Sequence, residues 1–409
     1  MWFSNKRRIY LDHASAPPVS IEAVRAMREV EDLFGNPGAI HAEGVAAKKS
    51  LEDSRTRIAS LLGCKGRELV FTSGLTEANN LAIVGFAKHL ERTRRSLKGS
   101  HWLVSSIEHD SVLGCFSEIE RMGGAVSYVE PDERGIILPE SVGKALRPET
   151  IFLSVGWANN ELGTVQPLAK IARILREHEK KHGTHVALHS DAGQAPLYLS
   201  TVVSTLGVDL LSLGGNKLYG PHGTGALYVG KNIIIAPTVF GGKQEKGFRA
   251  GTESVVLAAG FAVAYEVVAH ERRQEAARLG NMRDQLASEL VAHIPGLIIN
   301  GSTSFDKTQD RSLTAGGDLR HALPHMLNIS IPNISSEYVT LALDHAGIAI
   351  STKSACREGE ESRSHVVEAL GGEKWRAENT LRFSFGRGNR PGDVARTVQV
   401  LRGIVGKSS

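Results

Sequence analysis

The sequence has little cysteine, no long apolar run and no strong bias of charge. Its 409 residues include three cysteines, Cys64, Cys115 and Cys356, too few for a disulfide framework or a four-cysteine metal site. No apolar run reaches the roughly 18 residues needed to span a membrane, and the charged N-terminal segment lacks the apolar stretch of a secretory signal. We therefore predict no metal site, no membrane contact and a reducing, cytoplasmic setting.

The charges are nearly balanced. A net charge of +4 on 409 residues gives no support for direct binding of nucleic acid, and the basic cluster from Arg92 to Lys98 is predicted to be a solvated loop. A hydrophobic content of 41% with 22% charged residues is typical of a soluble globular protein. The length allows one large core and a smaller second domain.

Apolar segments alternate with helical patterns in the first half of the chain. The predicted strands are 69–72, 102–105, 125–129, 151–155, 185–190 and 208–213. Repeated alternation of this kind predicts an α/β fold with a mostly parallel, doubly wound sheet, whose ligand lies at the carboxyl ends of the strands. We assign residues 15–265 to this large domain.

The pattern changes after Thr252. Residues 253–290 predict one long helix, with a break allowed near Gly280, and an earlier helix is predicted from Ser20 to about Phe34. The segments that follow the long helix alternate less regularly and predict strands and helices of an α+β unit. We assign residues 1–14 and 266–409 to this smaller C-terminal domain.

One lysine lies in a glycine-rich loop directly after a predicted buried strand. Lys217 follows Gly214, Gly215 and Asn216. An amine in such a site can have a lowered pKa and can form an imine with an aldehyde. Taken alone, Lys217 fits an ordinary surface-loop lysine at least as well.

Two further features favour a functional lysine. One predicted strand ends at Asp191, and the carboxyl ends of neighbouring strands would bring this carboxylate close to Lys217. Residues 71–77 combine a strand end, a hydroxyl-and-glycine turn and a helix start at Leu75 and Thr76, where backbone N–H groups suit a phosphate. Pyridoxal phosphate requires a lysine, a carboxylate at its pyridine nitrogen and an anion site. The sequence therefore predicts a pyridoxal phosphate site.

Other polar residues also follow predicted strands, and each has a plain structural alternative. His109 could reach the same crevice or be one of many ordinary histidines, and Asn160 could do so or form a turn. Gln194 could bind a ring substituent or cap a helix. Arg382, inside an apolar strand, needs a carboxylate from a substrate or from a structural Asp or Glu. Cys356 precedes a highly charged stretch, which makes it the cysteine expected to be exposed.

Together these segments resemble the cysteine desulfurases of the class V aminotransferase family, in the group that serves iron–sulfur cluster assembly. The similarity spans nearly the whole chain, and it is carried by the motifs at 71–77, 108–109, 159–161, 189–194, 217–221, 249–252 and 354–356. The resemblance implies a homodimer with the type I fold of pyridoxal phosphate-dependent transferases. It also implies conversion of L-cysteine to L-alanine, with a persulfide left on the enzyme.

The resemblance also assigns roles at the cofactor. Lys217 would hold pyridoxal phosphate as an imine, Asp191 would pair with the pyridine nitrogen, and Gln194 would bind the ring hydroxyl. His109 would stack on the ring and assist proton transfer. The phosphate would be bound at Leu75, Thr76, Gly214, Asn216 and, from the other subunit, Thr252.

At the substrate, the resemblance implies that Asn160 and Arg382 hold the carboxylate of L-cysteine and that the Cys356 thiolate attacks its sulfur. The sulfur would pass to an acceptor protein, and an iron–sulfur scaffold, a tRNA thiolation enzyme and a DNA sulfur modification system all remain open as that acceptor.

The chain departs from the family pattern at three places that bear on function, one of which is Trp157-Ala158 near the expected cofactor ring. It has Gly214-Gly215-Asn216 where Ser-Gly-His is usual, which removes two side-chain phosphate donors, and Lys353 where glycine is usual. Two alternatives therefore accompany the desulfurase interpretation. The chain could be a selenocysteine lyase or another class V lyase or aminotransferase, or it could be a non-catalytic scaffold.

Overall fold

The computed structural model of the chain describes residues 7–94, 96–302, 322–352 and 363–406. Its strands are β1 (Ile9–Tyr10), β2 (Leu69–Thr72), β3 (His101–Ser105), β4 (Ala125–Val129), β5 (Thr150–Ser154), β6 (Ala187–Asp191), β7 (Leu210–Gly214), β8 (Gly225–Val229), β9 (Ile298–Asn300), β10 (Met326–Ser330), β11 (Ile348–Ala349), β12 (Ser351–Thr352) and β13 (Thr380–Ser384). Its α-helices are α1 (Ile21–Glu29), α2 (Ala42–Leu62), α3 (Leu75–Arg94), α4 (Asp110–Arg121), α5 (Pro139–Ala145), α6 (Leu168–His182), α7 (Val203–Leu206), α8 (Val255–His293), α9 (Ser336–His345), α10 (His365–Glu368), α11 (Lys374–Glu378) and α12 (Pro391–Val405). None of these helices combines the length and the apolar character needed to cross a membrane.

The largest sheet confirms the predicted α/β fold. Its seven strands lie in the order β2-β8-β7-β6-β5-β3-β4. The five strands from β7 to β4 run parallel to one another, whereas β8 is antiparallel to both β7 and β2. The predicted sheet is therefore mostly parallel, with one reversed strand near one edge.

Successive residues of the central strands face two separate apolar cores. In β3, Trp102 and Val104 belong to the core that includes residues of α3 and α4, whereas Leu103 belongs to the core that includes residues of α2, α6 and α8. This division follows from the alternation of side chains along a strand. The sheet is covered on both faces, as parallel sheets usually are, and its strand ends form a rigid support.

One helix ends earlier than the sequence predicts, and a possible break inside another helix is absent. Helix α1 begins after Ser20, whose hydroxyl accepts a hydrogen bond from the backbone of Ala23, but it ends at Glu29 rather than near residue 34, because Val30 leaves helical geometry with φ −116°. Helix α8 continues through Gly280 without a break. A glycine inside a helix costs about 1 kcal/mol relative to alanine, and the apolar face that α8 buries outweighs this cost.

The C-terminal half contributes two smaller sheets. An antiparallel sheet has the order β12-β13-β10-β9, and β1 pairs in parallel with β11. The N-terminal strand therefore joins elements from the end of the chain. We propose that the boundary between the two predicted domains lies within α8, which connects the residues of the large sheet to those of the smaller ones.

Four histidines are buried in their uncharged form, and burial lowers the pKa of one of them, His101, to about 4. Burial lowers the pKa of His13 to about 4 and the pKa values of His189 and His325 to about 3. The ring nitrogens of His189 lie 2.8 Å and 3.0 Å from the hydroxyls of Ser154 and Ser212. Neither ring nitrogen of His325 has a hydrogen-bond partner among the described residues. Protonation of such a ring would place a charge in the apolar interior.

We expect the free energy of unfolding to fall as the pH decreases from about 6.5 to about 4. Over this range the unfolded histidines take up protons while the buried ones do not. The His325→Leu variant should lose about 2 kcal/mol less than the wild type over the same range. Urea unfolding at a series of pH values measures the difference. Replacement of the exposed His270 by Gln should keep the wild-type slope, and a wild-type slope in His325→Leu would contradict the prediction.

Candidate active site

A cavity of about 360 Å³ lies where the large sheet presents the carboxyl ends of its parallel strands. Strands β5, β6 and β7 are adjacent and parallel, so the loops that follow them meet at this edge. The cavity brings together nine of the residues that the sequence singled out, which are Leu75, Thr76, His109, Asn160, Asp191, Gln194, Asn216, Lys217 and Arg382.

Three other predicted residues do not line this cavity. Gly214 lies at its edge, because a Cβ atom there would be 3.3 Å from the Cβ of Leu75. Thr252 is exposed and lines a neighbouring cavity of about 190 Å³, which shares Ser73 and Gly223 with the first. Its expected reach into the other subunit stays a prediction. Cys356, like Lys353, lies outside the described residues.

The amine of Lys217 is held by the N-terminal segment of the chain. Its Nζ donates hydrogen bonds to the backbone carbonyls of Ala14 (3.0 Å) and Ser15 (2.6 Å). The lysine ends a single 3₁₀ turn that begins at Gly215, and Tyr219 follows with the positive φ of 59°. This tight loop fixes the direction in which the lysine leaves β7.

Gln194 contacts the same carbonyl and has one unused atom. Its Nε2 donates to the carbonyl of Ala14 at 2.8 Å. Its buried Oε1 has no partner among the described residues, and its side chain does not cap the short helix that follows. The hydroxyl of a pyridoxal ring would satisfy this orphaned oxygen, which supports the fit of the cofactor.

Asp191 ends β6 with both carboxylate oxygens in use. Oδ1 accepts a hydrogen bond from the backbone of Gly193 at 2.8 Å, and Oδ2 accepts one from the amide of Asn79 at 2.7 Å. The carboxylate is almost fully buried and lines the cavity. A fixed, buried carboxylate of this kind suits a protonated pyridine nitrogen.

The opposite end of the cavity suits a phosphate. Helix α3 begins at Leu75, so its first backbone N–H groups have no partner within the helix. Gly74 precedes it with φ 152°, and a Cβ atom added there would meet nothing within 4 Å. Glu77 in the first turn pairs with Arg249 at 2.9 Å. Burial alone would raise the pKa of Glu77, but the hydrogen bonds from Arg249 and Ser73 outweigh it and lower that pKa.

The replacement of the usual serine by Gly214 has a local structural counterpart. A Cβ atom at Gly214 would lie 3.1 Å from the side-chain oxygen of Asn216, closer than ordinary van der Waals contact. The absence of a side chain at Gly214 therefore leaves room for the side chain of Asn216. Backbone N–H groups of α3 remain as phosphate donors.

The sequence left open whether the carboxylate partner of Arg382 is a substrate or a structural Asp or Glu, and the structure places Asp12 beside it. Its guanidinium donates to Asp12 Oδ1 (2.8 Å), to the hydroxyl of Ser15 (2.6 Å) and to the carbonyl of Asn160 (2.8 Å). Its Nε is buried with no partner among the described residues. Three of its five N–H groups donate the hydrogen bonds just described, which fixes the guanidinium beside the cavity that it lines.

His109 caps the start of α4. Its Nδ1 accepts a hydrogen bond from the backbone of Ser111 at 3.1 Å and lies 2.9 Å from the hydroxyl of the same serine. The half-buried ring lines the cavity. Its placement by a strand end and a helix start agrees with its position in the sequence, directly after β3.

Glu108 is a buried acid that residue-by-residue inspection of the sequence did not single out. Its Oε1 accepts a hydrogen bond from the backbone of Gly156 at 2.7 Å, and its side chain lines the cavity. Burial, together with the nearby charge of Asp191, raises its pKa to about 8. The signals in the sequence are its position between the end of β3 and His109 and its place in the motif at 108–109.

The described residues on either side of the segment that holds Cys356 lie beside the cavity. Ser351 in β12 stands opposite Arg382 in β13. On the other side, the hydroxyl of Ser364 donates to Glu161 at 2.5 Å, and Nε2 of His365 lies 3.0 Å from the carbonyl of Glu108. Both flanks of this segment are thus tied to residues around the cavity.

Replacement of Glu108 by Gln should stabilise the protein increasingly as the pH rises from about 4.5 to about 8. The unfolded carboxyl ionises near 4.5 while the folded one stays neutral up to about 8, so the wild type loses stability over this range and the amide does not. The difference in melting temperature between variant and wild type should grow by a few degrees between pH 5 and pH 8. The exposed Glu140→Gln serves as control, and a difference that stays constant with pH would refute the prediction.

Comparisons with known proteins agree over nearly the full length. The chain is 36% identical over 403 residues to cysteine desulfurase IscS of Dictyoglomus turgidum, which covers 98% of this chain and 95% of that protein. A solved NifS-like protein has a TM-score of 0.86 at 28% identity, covering 98% of this chain and all of that one. A structure described as SspA in complex with cysteine has a TM-score of 0.74 at 32% identity, covering 92% and 98%. The profile of the class-V aminotransferases matches residues 9–397, and the chain therefore belongs to this pyridoxal phosphate-dependent family.

Proposed function

We infer that the chain is a pyridoxal phosphate-dependent cysteine desulfurase. The observation that carries this inference is the meeting of Lys217, Asp191 and Arg382 around one cavity, in a chain similar over its full length to proteins named cysteine desulfurase. The overall change is that L-cysteine and an enzyme thiol become L-alanine and an enzyme persulfide. One solved relative is described as a complex with cysteine, which supports L-cysteine as the substrate.

The residues around the cavity divide the work of holding the cofactor. Bound there, pyridoxal phosphate supplies an electron sink for the bonds broken at the substrate. Lys217 would hold its aldehyde carbon, and the carbonyls of Ala14 and Ser15 orient the amine. Asp191 would hold the pyridine nitrogen. The start of α3 with Leu75 and Thr76, the loop with Gly214 and Asn216, and Thr252 of the second subunit would hold the phosphate.

Arg382 and Asn160 would bind the carboxylate of the substrate. The ion pair with Asp12 fixes the guanidinium before substrate arrives, so little freedom is lost on binding. His109 would lie against the ring and assist proton transfer. The Cys356 thiolate would attack the substrate sulfur, so that a sulfur–sulfur bond forms as the carbon–sulfur bond breaks.

The other two cysteines are poor candidates for this attack. Burial raises the pKa values of Cys64 and Cys115 to about 12, so neither forms an appreciable amount of thiolate near neutral pH. These free thiols fit the proposed cytoplasmic setting. The persulfide would then pass its sulfur to an acceptor protein, for which we propose a component of iron–sulfur cluster assembly, since the related proteins carry the name IscS.

We also propose that the protein is a homodimer. The segment between α1 and α2 exposes Phe34 (85%) and Ile40 (98%), and the first turn of α2 exposes Val45 (57%). This segment is tightly folded, because a Cβ atom at Gly35 would clash with the backbone of Glu43 at 2.3 Å. A rigid, exposed apolar surface of this kind is typical of a protein interface.

The Cys356→Ala variant should release no alanine from L-cysteine and form no persulfide, because the attacking thiol is gone. Alanine is measured after incubation with L-cysteine and reductant, and the persulfide by mass spectrometry of the trapped protein. The visible absorbance of bound cofactor should remain. The Cys64→Ala variant is the matched control and should keep wild-type rates. Alanine release by Cys356→Ala at the wild-type rate would refute the proposed reaction.

The Ile40→Glu variant should shift the protein from dimer to monomer, because it places a charge in the proposed apolar interface. Analytical ultracentrifugation over a range of concentrations measures the change, and we expect at least a tenfold higher dissociation constant. Leu341→Glu on α9, also at an exposed apolar position, should leave the dimer intact. A monomeric wild type would overturn the proposal.

A further inference from the structure

Asn79 links two of the candidate active-site residues through a single side chain. It lies in the first turns of α3 and is fully buried. One hydrogen of its Nδ2 points to the hydroxyl of Ser111 at 2.9 Å, and the other to Oδ2 of Asp191 at 2.7 Å. A carboxylate accepts hydrogen bonds and does not donate them, so the amide is held with its nitrogen towards Asp191.

The contact with Ser111 continues to His109. The backbone N–H of Ser111 can only donate, and it lies 3.1 Å from Nδ1 of His109. That nitrogen therefore carries no proton. The Ser111 hydroxyl accepts from Asn79 and lies 2.9 Å from the same nitrogen, so its own hydrogen points to Nδ1. The neutral ring must then carry its proton on Nε2.

The unused half of the Asn79 amide indicates what the residue is for. Its Oδ1 is buried without a hydrogen-bond partner among the described residues, and burying an unpaired amide oxygen costs roughly 1–3 kcal/mol. A residue that served packing alone would avoid this cost with an apolar side chain of the same size. The cost is offset only where the two donors are needed.

We propose that Asn79 is a positioning residue that sets two groups of the candidate cofactor site at once, since Asp191 and His109 both line the cavity. It holds the carboxylate of Asp191 directly, and it orients the Ser111 hydroxyl, which adds a second hydrogen bond to Nδ1 of His109 beside the one from the Ser111 backbone. This proposal rests on the proposed function for the roles of Asp191 and His109. It adds a residue that touches neither cofactor nor substrate and that acts through both of these side chains.

The two branches of this network can be separated by substitution. Asn79→Leu keeps the volume and removes both donors, whereas Ser111→Ala breaks only the branch to His109. Cofactor affinity, measured by titrating the protein with pyridoxal phosphate in the absence of cysteine, should fall about tenfold in Asn79→Leu. It should stay within twofold of wild type in Ser111→Ala.

The value of kcat should report on the branch that runs from Asn79 through Ser111 to His109. Both variants should lower kcat for alanine formation by about tenfold with little change in KM, because a misdirected His109 affects the reaction rather than substrate binding. The double variant should lose no more kcat than Asn79→Leu alone, since the two residues act in one chain. Asn80→Ala, one residue along α3, should match the wild type in both measurements.

Additive effects on kcat in the double variant, or wild-type cofactor affinity in Asn79→Leu, would overturn the proposal. Thermal unfolding of each variant shows whether a loss of cofactor affinity or of kcat arises from misfolding. Misfolding of Ser111→Ala would lower its cofactor affinity as well as its kcat. Because the affinity is measured without cysteine, it tests the Asp191 branch even if the wild type released no alanine. A wild type that released no alanine would refute the desulfurase function, but it would not contradict the proposed role of Asn79 in holding Asp191.

Discussion

The ion pair between the buried Arg382 and the partly exposed Asp12 is the contact on which the geometry of the cavity depends. The two side chains are 3% and 19% exposed, and the guanidinium lies 2.8 Å from the carboxylate. Such a pair adds little net stability, but removal of Asp12 would leave the buried guanidinium without its charge partner, which costs up to about 3–5 kcal/mol. The pair thereby anchors the N-terminal segment, and two carbonyls of that segment, at Ala14 and Ser15, accept hydrogen bonds from the amine of Lys217.

The rest of the site is built on the opposite side of this segment by the large sheet. Because both faces of the sheet are packed, its strand ends cannot move independently of two cores. Asp191 and the loop of Lys217 leave adjacent parallel strands, and glycines at 74, 193 and 214 let the backbone come close. The site thus combines rigid strand ends with a segment held by charge.

The sequence predicts the parts of the molecule that follow a repeating pattern of strands and helices, and the residues that lie at the ends of strands. The alternation of strands and helices specifies the sheet, and the placement of Asp191 and Lys217 after successive strands brings them to one cavity. Contacts between residues that are far apart in the sequence could not be predicted in this way. Asn79 reads as a polar position on a helix until its partner, 112 residues away, is known, and Glu108 reads as a charged loop residue. The long helix α8 was predicted, whereas the early end of α1 was missed because tertiary structure can outweigh local preference.

The position of β1 has a consequence for the way the protein is made. Strand β1 consists of residues 9 and 10 and pairs with β11 at residues 348 and 349. Asp12 forms its ion pair with Arg382, which lies 370 residues further along the chain. Contacts of such separation close last, after the entropy of a very long loop has been overcome. A chain emerging from the ribosome would complete its large sheet first. The lysine would gain its carbonyl partners only when the final strand had been synthesised, so the newly made protein can take up its cofactor in final geometry only once both ends of the chain have met.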